Sequence, residues 1–409
     1  MANLGDVLRQ VVCTPKHIPD DWAFLKLTDV CSPKQWKTIS SIEMTATGYP
    51  VFGANGFVGF YPEYNHADET VAITCRGNTC GTINRIPPKT YITGNSMALD
   101  DIKSNVVLQK YLYYALKYRG VGDSVSGSAQ PQITGAGLRS IEFPAPPLPE
   151  QQKIATILSS VDDVIEKTRA QIDKLKDLKT GMMQELLTKG IGHTEFKDSE
   201  VGRIPSSWEV YSLSDISEFR RGSFPQPYGN PEWYSDTGYP FVQVYDIAKN
   251  GMLKPLTKVR ISEAAALKSV FVEKGSIIVS LQGSIGRVAT TQYDAYVDRT
   301  ILIFSNIASI LDKNYFALMI GEIFREKSSE ADGGVIKTIT KATLKNFYLQ
   351  IPPMAEQLQF SKTIGAIESK MLITTQKLED CMALKKALMQ DLLTGKVRVK
   401  LTDKESAVV

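Results

Sequence analysis

The chain of 409 residues carries 47 Lys and Arg against 44 Asp and Glu, a formal net charge of +3, with 43% hydrophobic and 22% charged residues. This composition excludes a disordered, collagen-like or supercharged chain, and the length predicts two or three domains, each able to bury its own core. The small, evenly spread net charge neither announces nor excludes a nucleic-acid partner, because phosphate binding needs a clustered basic face rather than a basic total. Cys13, Cys31, Cys75, Cys80 and Cys381 form no C-x-x-C pair, so no disulfide framework and no structural zinc site are expected. The start is interrupted by Asp6 and Arg9 and no run of 18 apolar residues exists, so neither a signal peptide nor a membrane span is expected, and the location read from this is cytoplasmic.

In chain order, the first polar stretch able to line a groove is Lys34-Gln35-Trp36-Lys37. Val71 to Cys75 is a short apolar, β-branched run that predicts a strand, followed by the small-residue loop Arg76-Gly77-Asn78-Thr79-Cys80-Gly81. A helix is expected at Val106 to Tyr118, then a polar loop, Gly127 to Gln132, containing Gln130 and Gln132. From Glu150 to Leu187 the apolar spacing is 3.5: Ile154, Leu158, Val161, Ile165, Thr168, Ile172, Leu175, Lys179, Met182 and Leu186 step by fours and threes. Sustained over five heptads, this predicts a coiled-coil helix, with Pro149 near its start, Gly190 as its stop, and Gly181 marking a kink or close contact inside it. Arg220-Arg221-Gly222-Ser223 is another groove candidate. Ser276 to Leu281 and Thr300 to Phe304 predict strands, the first leading into the loop Gln282-Gly283-Ser284-Ile285-Gly286-Arg287. A helix is expected at Leu311 to Ser328, then a polar loop, Gly333 to Thr338, with Lys337.

The second half repeats the first. At a constant offset of 206, Leu138 to Thr188 lies over Leu344 to Thr394 without a gap, and Ile18-Pro19 with Trp22 echoes Ile204-Pro205 with Trp208 at an offset of 186. Phe360, Ile364, Ile367, Met371, Thr374, Leu378, Cys381, Lys385, Leu388 and Leu392 occupy the same ten seam positions, and Gly395 is the second stop. Two copies point to an internal pseudo-dimer rather than a solenoid. Short connections favour antiparallel helices, each of about 40 residues and about 60 Å, with the two mixed α/β segments at opposite ends.

Enzyme signatures are mostly absent. There is no G-x-x-x-x-G-K-[ST] loop, Gly53-Ala54-Asn55-Gly56 lacks a strand-to-helix context, and the Pro-Pro pairs lack the setting of an amino-methyltransferase motif. His17, His66 and His193 read as surface or turn residues. Three classes remain: a sequence-reading DNA binder, a scaffold that only spaces partners, and a free-standing nuclease or methyltransferase with a coiled-coil insert. The missing motifs argue against the last.

Three segments in this order resemble the specificity subunit of type I restriction-modification systems: Pro146-Pro147-Leu148-Pro149-Glu150-Gln151-Gln152-Lys153-Ile154, Leu186 through Gly190 running on to Gly202-Arg203-Ile204-Pro205-Ser206-Ser207-Trp208, and Leu392-Leu393-Thr394-Gly395-Lys396-Val397-Arg398-Val399. The second Pro-Glu-Gln copy departs mildly, with Ala355 before Glu356. The resemblance implies an α/β (α+β) protein with two target recognition domains separated by a pair of long antiparallel helices. The expected divisions are 1–143, 144–190, 191–349 and 350–409. It also implies that each domain reads half of a bipartite DNA target, and that the chain catalyses nothing and holds no cofactor or metal. S-adenosylmethionine would be used by two methyltransferase subunits docked on the helices, ATP and magnesium by two restriction subunits that can join them. Candidate DNA contacts are Lys34, Lys37, Arg76, Asn78, Thr79, Gln130, Gln132, Arg220, Arg221, Ser223, Gln282, Ser284, Arg287 and Lys337, side chains that position phosphates or fork onto base edges. Candidate partner contacts are Glu150, Gln151, Leu186, Leu187, Glu356, Gln357, Leu392 and Leu393, although the Leu-Leu-Thr ends serve equally well as coil contacts.

Overall fold

Strands form where β-branched runs lie between glycine and polar clusters, and the long helices form where the spacing is 3.5. The computed structural model describes residues 18–54, 56–127, 130–248, 251–282, 285–330, 344–345 and 347–402. Contacts divide the chain into unit 1, residues 1–169 with 377–409, and unit 2, residues 170–376.

Unit 1 runs β1 (Ala23–Lys26), β2 (Ser32–Gln35), β3 (Tyr49–Gly53), β4 (Gly56–Tyr61), β5 (Thr70–Thr74), β6 (Ile83–Ile86), β7 (Tyr91–Ile92), β8 (Ser96–Asp100), helix α1 (Gln109–Arg119), β9 (Val125–Ser126), β10 (Gln132–Ile133) and β11 (Glu142–Ala145), then enters helix α2 (Leu148–Lys189). Its central antiparallel sheet has the order β2-β8-β5-β6, and β5 is buried at every residue. A smaller sheet, β4-β3-β7, packs Phe52 and Ile92 against Ala72, Ile86 and Ala98 of the first.

Unit 2 runs β12 (Phe196–Ser199), β13 (Gly202–Pro205), β14 (Glu209–Ser212), β15 (Glu218–Arg221), β16 (Tyr234–Val242), β17 (Val259–Ile261), β18 (Val270–Val272), β19 (Ile277–Ser280), β20 (Val288–Thr290), β21 (Ala295–Val297), β22 (Ile301–Ser305), helix α3 (Lys313–Glu330), β23 (Tyr348–Ile351) and helix α4 (Met354–Leu392). Its four-stranded sheets are β15-β22-β19-β20 and β17-β16-β21-β18. The registers repeat: Ala23 pairs with Ala145 as Glu209 pairs with Ile351, and Thr74 with Ser96 as Ser280 with Ile301. The offset is 186 through β2 and β15 and 206 at β5 and β19, so the extra length of unit 2 enters between β15 and β19.

All ten seam positions on each helix are buried or partly buried, as the 3.5 spacing requires. Within each unit the two helices run antiparallel. In unit 1, Ile154 and Leu158 share a core with Met389, Leu392 and Leu393; in unit 2, Met183 packs on Ile364 and Ile367. The seam lysines answer each other. Lys385 bonds to Asp162, which also accepts the Tyr114 hydroxyl at 2.8 Å, and Lys179 bonds to Glu368 at 2.6 Å. Both helices stop at a glycine in left-handed conformation, Gly190 (φ +64°) and Gly395 (φ +71°), where a Cβ would strike Glu356 and Trp208 or Pro19. Gly181 differs from expectation: α2 runs unbroken through it, and a Cβ there would meet nothing within 4 Å.

Each module is locked to its helix by one carboxylate and one amide. In unit 1 the buried Glu150 accepts the Trp22 indole N–H at 3.3 Å and two N–H groups of Arg398 at 2.8 and 2.7 Å; Arg398 also grips Asp21 at 2.9 and 2.8 Å. In unit 2, Glu356 accepts the Trp208 indole at 3.0 Å and the Ile191 backbone N–H at 2.7 Å, with His193 at 3.0 Å. Gln151 accepts from Leu108 N and donates to the Val106 and Pro146 carbonyls; Gln357 accepts from Asp312 N and donates to the Ile310 and Pro352 carbonyls. These four residues are therefore corrected as partner contacts: Glu150, Gln151 and Gln357 are fully buried and Glu356 nearly so, with their hydrogen bonds satisfied inside the unit. Leu392 and Leu393 are buried in the unit 1 core, and Leu186 and Leu187 pack against that of unit 2. They too serve the chain itself.

Glu150→Ala strands the Trp22 N–H and the Arg398 cation, so chemical denaturation should show a loss of about 2–3 kcal/mol; an unchanged midpoint would return Glu150 to the surface. In a double-mutant cycle, Lys385 and Asp162 (side chains 13% and 20% exposed) should couple by about 1–3 kcal/mol, and the more open Lys179–Glu368 pair (31% and 42%) by less than about 1.

Candidate nucleic-acid interface

The polar loops predicted from sequence are held by the sheets, which fix their direction. In unit 1, Arg76 leaves the end of β5 exposed and forms an isolated bridge with Gln132, while the Ile133 N–H donates to the Cys75 carbonyl at 3.0 Å. Two loops far apart in sequence thereby meet, bringing Arg76 and Asn78 next to the hairpin that carries Gln130 and Gln132, all four exposed. The Thr79 hydroxyl donates to the Ala54 carbonyl at 2.8 Å, which ties a third segment to the same cluster. On β2, Lys34 is exposed with its ammonium 4.0 Å over the Trp36 ring, and the Gln35 amide reaches the Gly94 carbonyl and Cys75 Sγ, both at 3.0 Å. Lys37 is exposed and lies 3.9 Å from Glu43, apart from these bonds.

In unit 2 the edge strand β15 takes the place of β2, so Arg220 is the counterpart of Lys34. Arg220 and Arg221 are both exposed, but successive strand residues point to opposite faces, so the pair does not act as one basic patch. The Ser223 hydroxyl donates to the Lys268 carbonyl at 3.1 Å. Gln282 is exposed beyond β19, and Arg287 returns on the other side of that loop, half-buried, with one N–H to the Ile247 carbonyl at 3.4 Å. Arg287 also lines an open cavity of about 980 Å³ with Lys179, Arg325, Lys362, Glu322 and Glu368. Ser284 and Lys337 lie outside the described residues.

Sequence reasoning missed a second polar cluster beside β15. The Tyr228 hydroxyl donates to Asp298 at 2.7 Å and accepts from the Gln243 amide, Lys268 stands 4.7 Å over the Trp233 ring, Lys258 lies 5.2 Å from that of Tyr245, and the Arg299 guanidinium lies 5.9 Å from that of Tyr228. Burial pushes the Tyr228 hydroxyl pKa up, with Asp298 adding to the rise, so this hydroxyl stays protonated as a donor. The members of this cluster come from separated segments, 228–233, 243–245, 258, 268 and 298–299, so no local motif announces it. The histidines also depart from expectation. His66 is nearly buried, with Nε2 on the Asp100 carboxylate at 3.0 Å and Nδ1 on the Asn65 side-chain oxygen at 2.7 Å, and His193 holds Glu356 through Nε2; both are internal supports. His17 lies outside the described residues.

Burial raises Cys31 to about 12 and Cys80 to about 11, so these thiols stay protonated at neutral pH. Among the described residues no group of three or more His, Cys, Asp or Glu is placed to hold a metal, and no helix is long and apolar enough to cross a membrane.

The comparisons agree with one another. A family model for the type I restriction modification DNA specificity domain matches residues 19–177 and 205–380. The chain is 30% identical over 320 residues to the putative type I restriction enzyme MjaX specificity subunit of Methanocaldococcus jannaschii, covering 76% of this chain and 74% of that one. It is 26% identical over 322 residues to the MjaVIII specificity subunit of the same organism, covering 76% and 75%. Among solved structures, the S subunit of a type I restriction-modification system from M. genitalium has the same fold, with a TM-score of 0.67 at 14% identity over 95% of this chain and all of that one. With two matched domains spanning most of its length, the chain belongs to the family of type I restriction-modification DNA specificity subunits.

Proposed function

We propose that unit 1 and unit 2 each read one half of a bipartite DNA target, that the helix pair sets the unread gap, and that methyltransferase subunits dock on the helices. The observation carrying this reading is the duplicated module whose Arg, Asn and Gln loops are pinned to a rigid sheet, with no acidic residue between Cys75 and Thr82 or between Gln282 and Arg287. Such loops suit base edges in a groove, where Arg forks onto guanine and Asn or Gln onto adenine. Lys34 and Arg220, exposed on equivalent edge strands, would position phosphates. The chain supplies recognition and no catalysis: S-adenosylmethionine belongs to the methyltransferase subunits, and ATP with magnesium to restriction subunits that join them. A scaffold that merely spaces partners would have no need of two differently built loop clusters on equivalent sheets.

The test is selection from a random duplex library by the chain assembled with its methyltransferase partner. Arg76→Ala should relax only the half read by unit 1, and Arg287→Ala only the other half, each by about 1–3 kcal/mol, roughly five- to 150-fold, at one or two base pairs. Equal relaxation of both halves by either substitution would contradict modular reading.

A further inference from the structure

Resting on the DNA-reading function, we propose that Phe57 is a wedge that inserts into a base step of the half-site read by unit 1. The hairpin of β3 and β4 holds a β-bulge: Val51 pairs with Gly59 and Phe52 with Phe57, leaving Val58 as the extra residue. A bulge re-aims side chains, and here it turns both apolar residues outward, Phe57 58% exposed and Val58 45%. The ring is braced rather than loose, because Phe60 stands edge-on to it at 5.1 Å.

The hairpin end is fastened to the polar loop. The Ala54 carbonyl accepts the hydroxyls of Thr74 and Thr79 at 3.2 and 2.8 Å, and the Gly53 carbonyl accepts that of Ser96 at 3.1 Å. Thr74 and Thr79 flank Arg76 and Asn78, so the exposed ring rides on the same rigid support as the candidate base readers. No acidic residue lies between Gly53 and Gly59 or between Cys75 and Thr82, so nothing in either segment repels phosphate. Unit 2 builds the same juxtaposition from unrelated residues: Met252, 41% exposed, bridges Thr290 at the end of β20, and the same segment holds Arg287 through the Ile247 carbonyl. An apolar tip beside hydrogen-bonding side chains is the arrangement with which proteins unstack a step, and pyrimidine–purine steps yield most easily.

The assembled complex with the methyltransferase partner is first used to select its split motif from random duplexes, with Arg76→Ala marking the half belonging to unit 1. Duplexes carrying 2-aminopurine at successive positions of that half then report unstacking. The proposal expects a several-fold fluorescence rise at one step with the unsubstituted chain, its loss with Phe57→Ala together with about tenfold weaker binding to that half-site, and its retention with Phe57→Trp. Thermal melting of both variants should match the unsubstituted chain, since the ring is exposed. No rise at any position, or full binding by Phe57→Ala, overturns the wedge. So does a loss reproduced by replacing thymine with deoxyuridine, which would make Phe57 a methyl contact in the groove. Absence of any split motif with the unsubstituted chain would overturn the DNA-reading function itself, and the two failures are thereby distinct.

Discussion

A buried carboxylate at the first turn of each long helix is the constraint on which the rest depends. Glu150 and Glu356 sit where a charge without partners would be expensive, and each is answered by an indole N–H and by a segment that follows the end of the partner helix, Arg398 in unit 1 and residues 191–193 in unit 2. The neighbouring Gln151 and Gln357 each fasten the loop before α1 or α3 through two bonds, and the turn into their own long helix through a third. A recognition module held by bonds of this kind has its orientation on the helix fixed, and reading loops are useful only if their direction is fixed. The Pro-Glu-Gln segments recur because they make this joint.

The helix seam imposes the second constraint. Leucine and isoleucine alone would tolerate slippage along a heptad pattern, whereas a lysine facing an acid at one seam position specifies register. Lys179 with Glu368 and Lys385 with Asp162 are the two copies of that device. The seam is nearly the same in the two units and the joints share their Glu, Gln and Trp, while the loops they carry differ: Arg76 and Asn78 face solvent in one, and unit 2 adds residues between β15 and β19. A molecule so divided can change what it reads without disturbing what holds it together. The 14% identity to the M. genitalium subunit, at a TM-score of 0.67, shows how little sequence the fold needs.

Much of this was legible in the sequence because its signals are local or repeated. The seam, the glycine stops, the β-branched central strands and the duplication follow from spacing, and the observed helices α1 and α3 lie within a few residues of those expected. What escaped depends on tertiary partners. Nothing near Glu150 announces Arg398, 248 positions away, so a charged residue at a helix start reads as surface until its partner is seen. Arg220-Arg221 reads as one groove-lining segment, but its two side chains leave opposite faces of the strand, an alternation that sequence adjacency hides. Gly181 reads as a kink or a close contact but is an exposed helix position with open space around it. The exposure of Phe57 follows from a bulge whose register no composition rule reveals.

The central claim, that this chain chooses the DNA sequence on which its partners act, is tested most directly by mapping methylated adenine across the genome in cells carrying the methyltransferase partner, with and without this chain. The account predicts that removing the chain erases one split motif with a fixed gap and leaves every other methylated site in place. An identical methylome in both cells would contradict it.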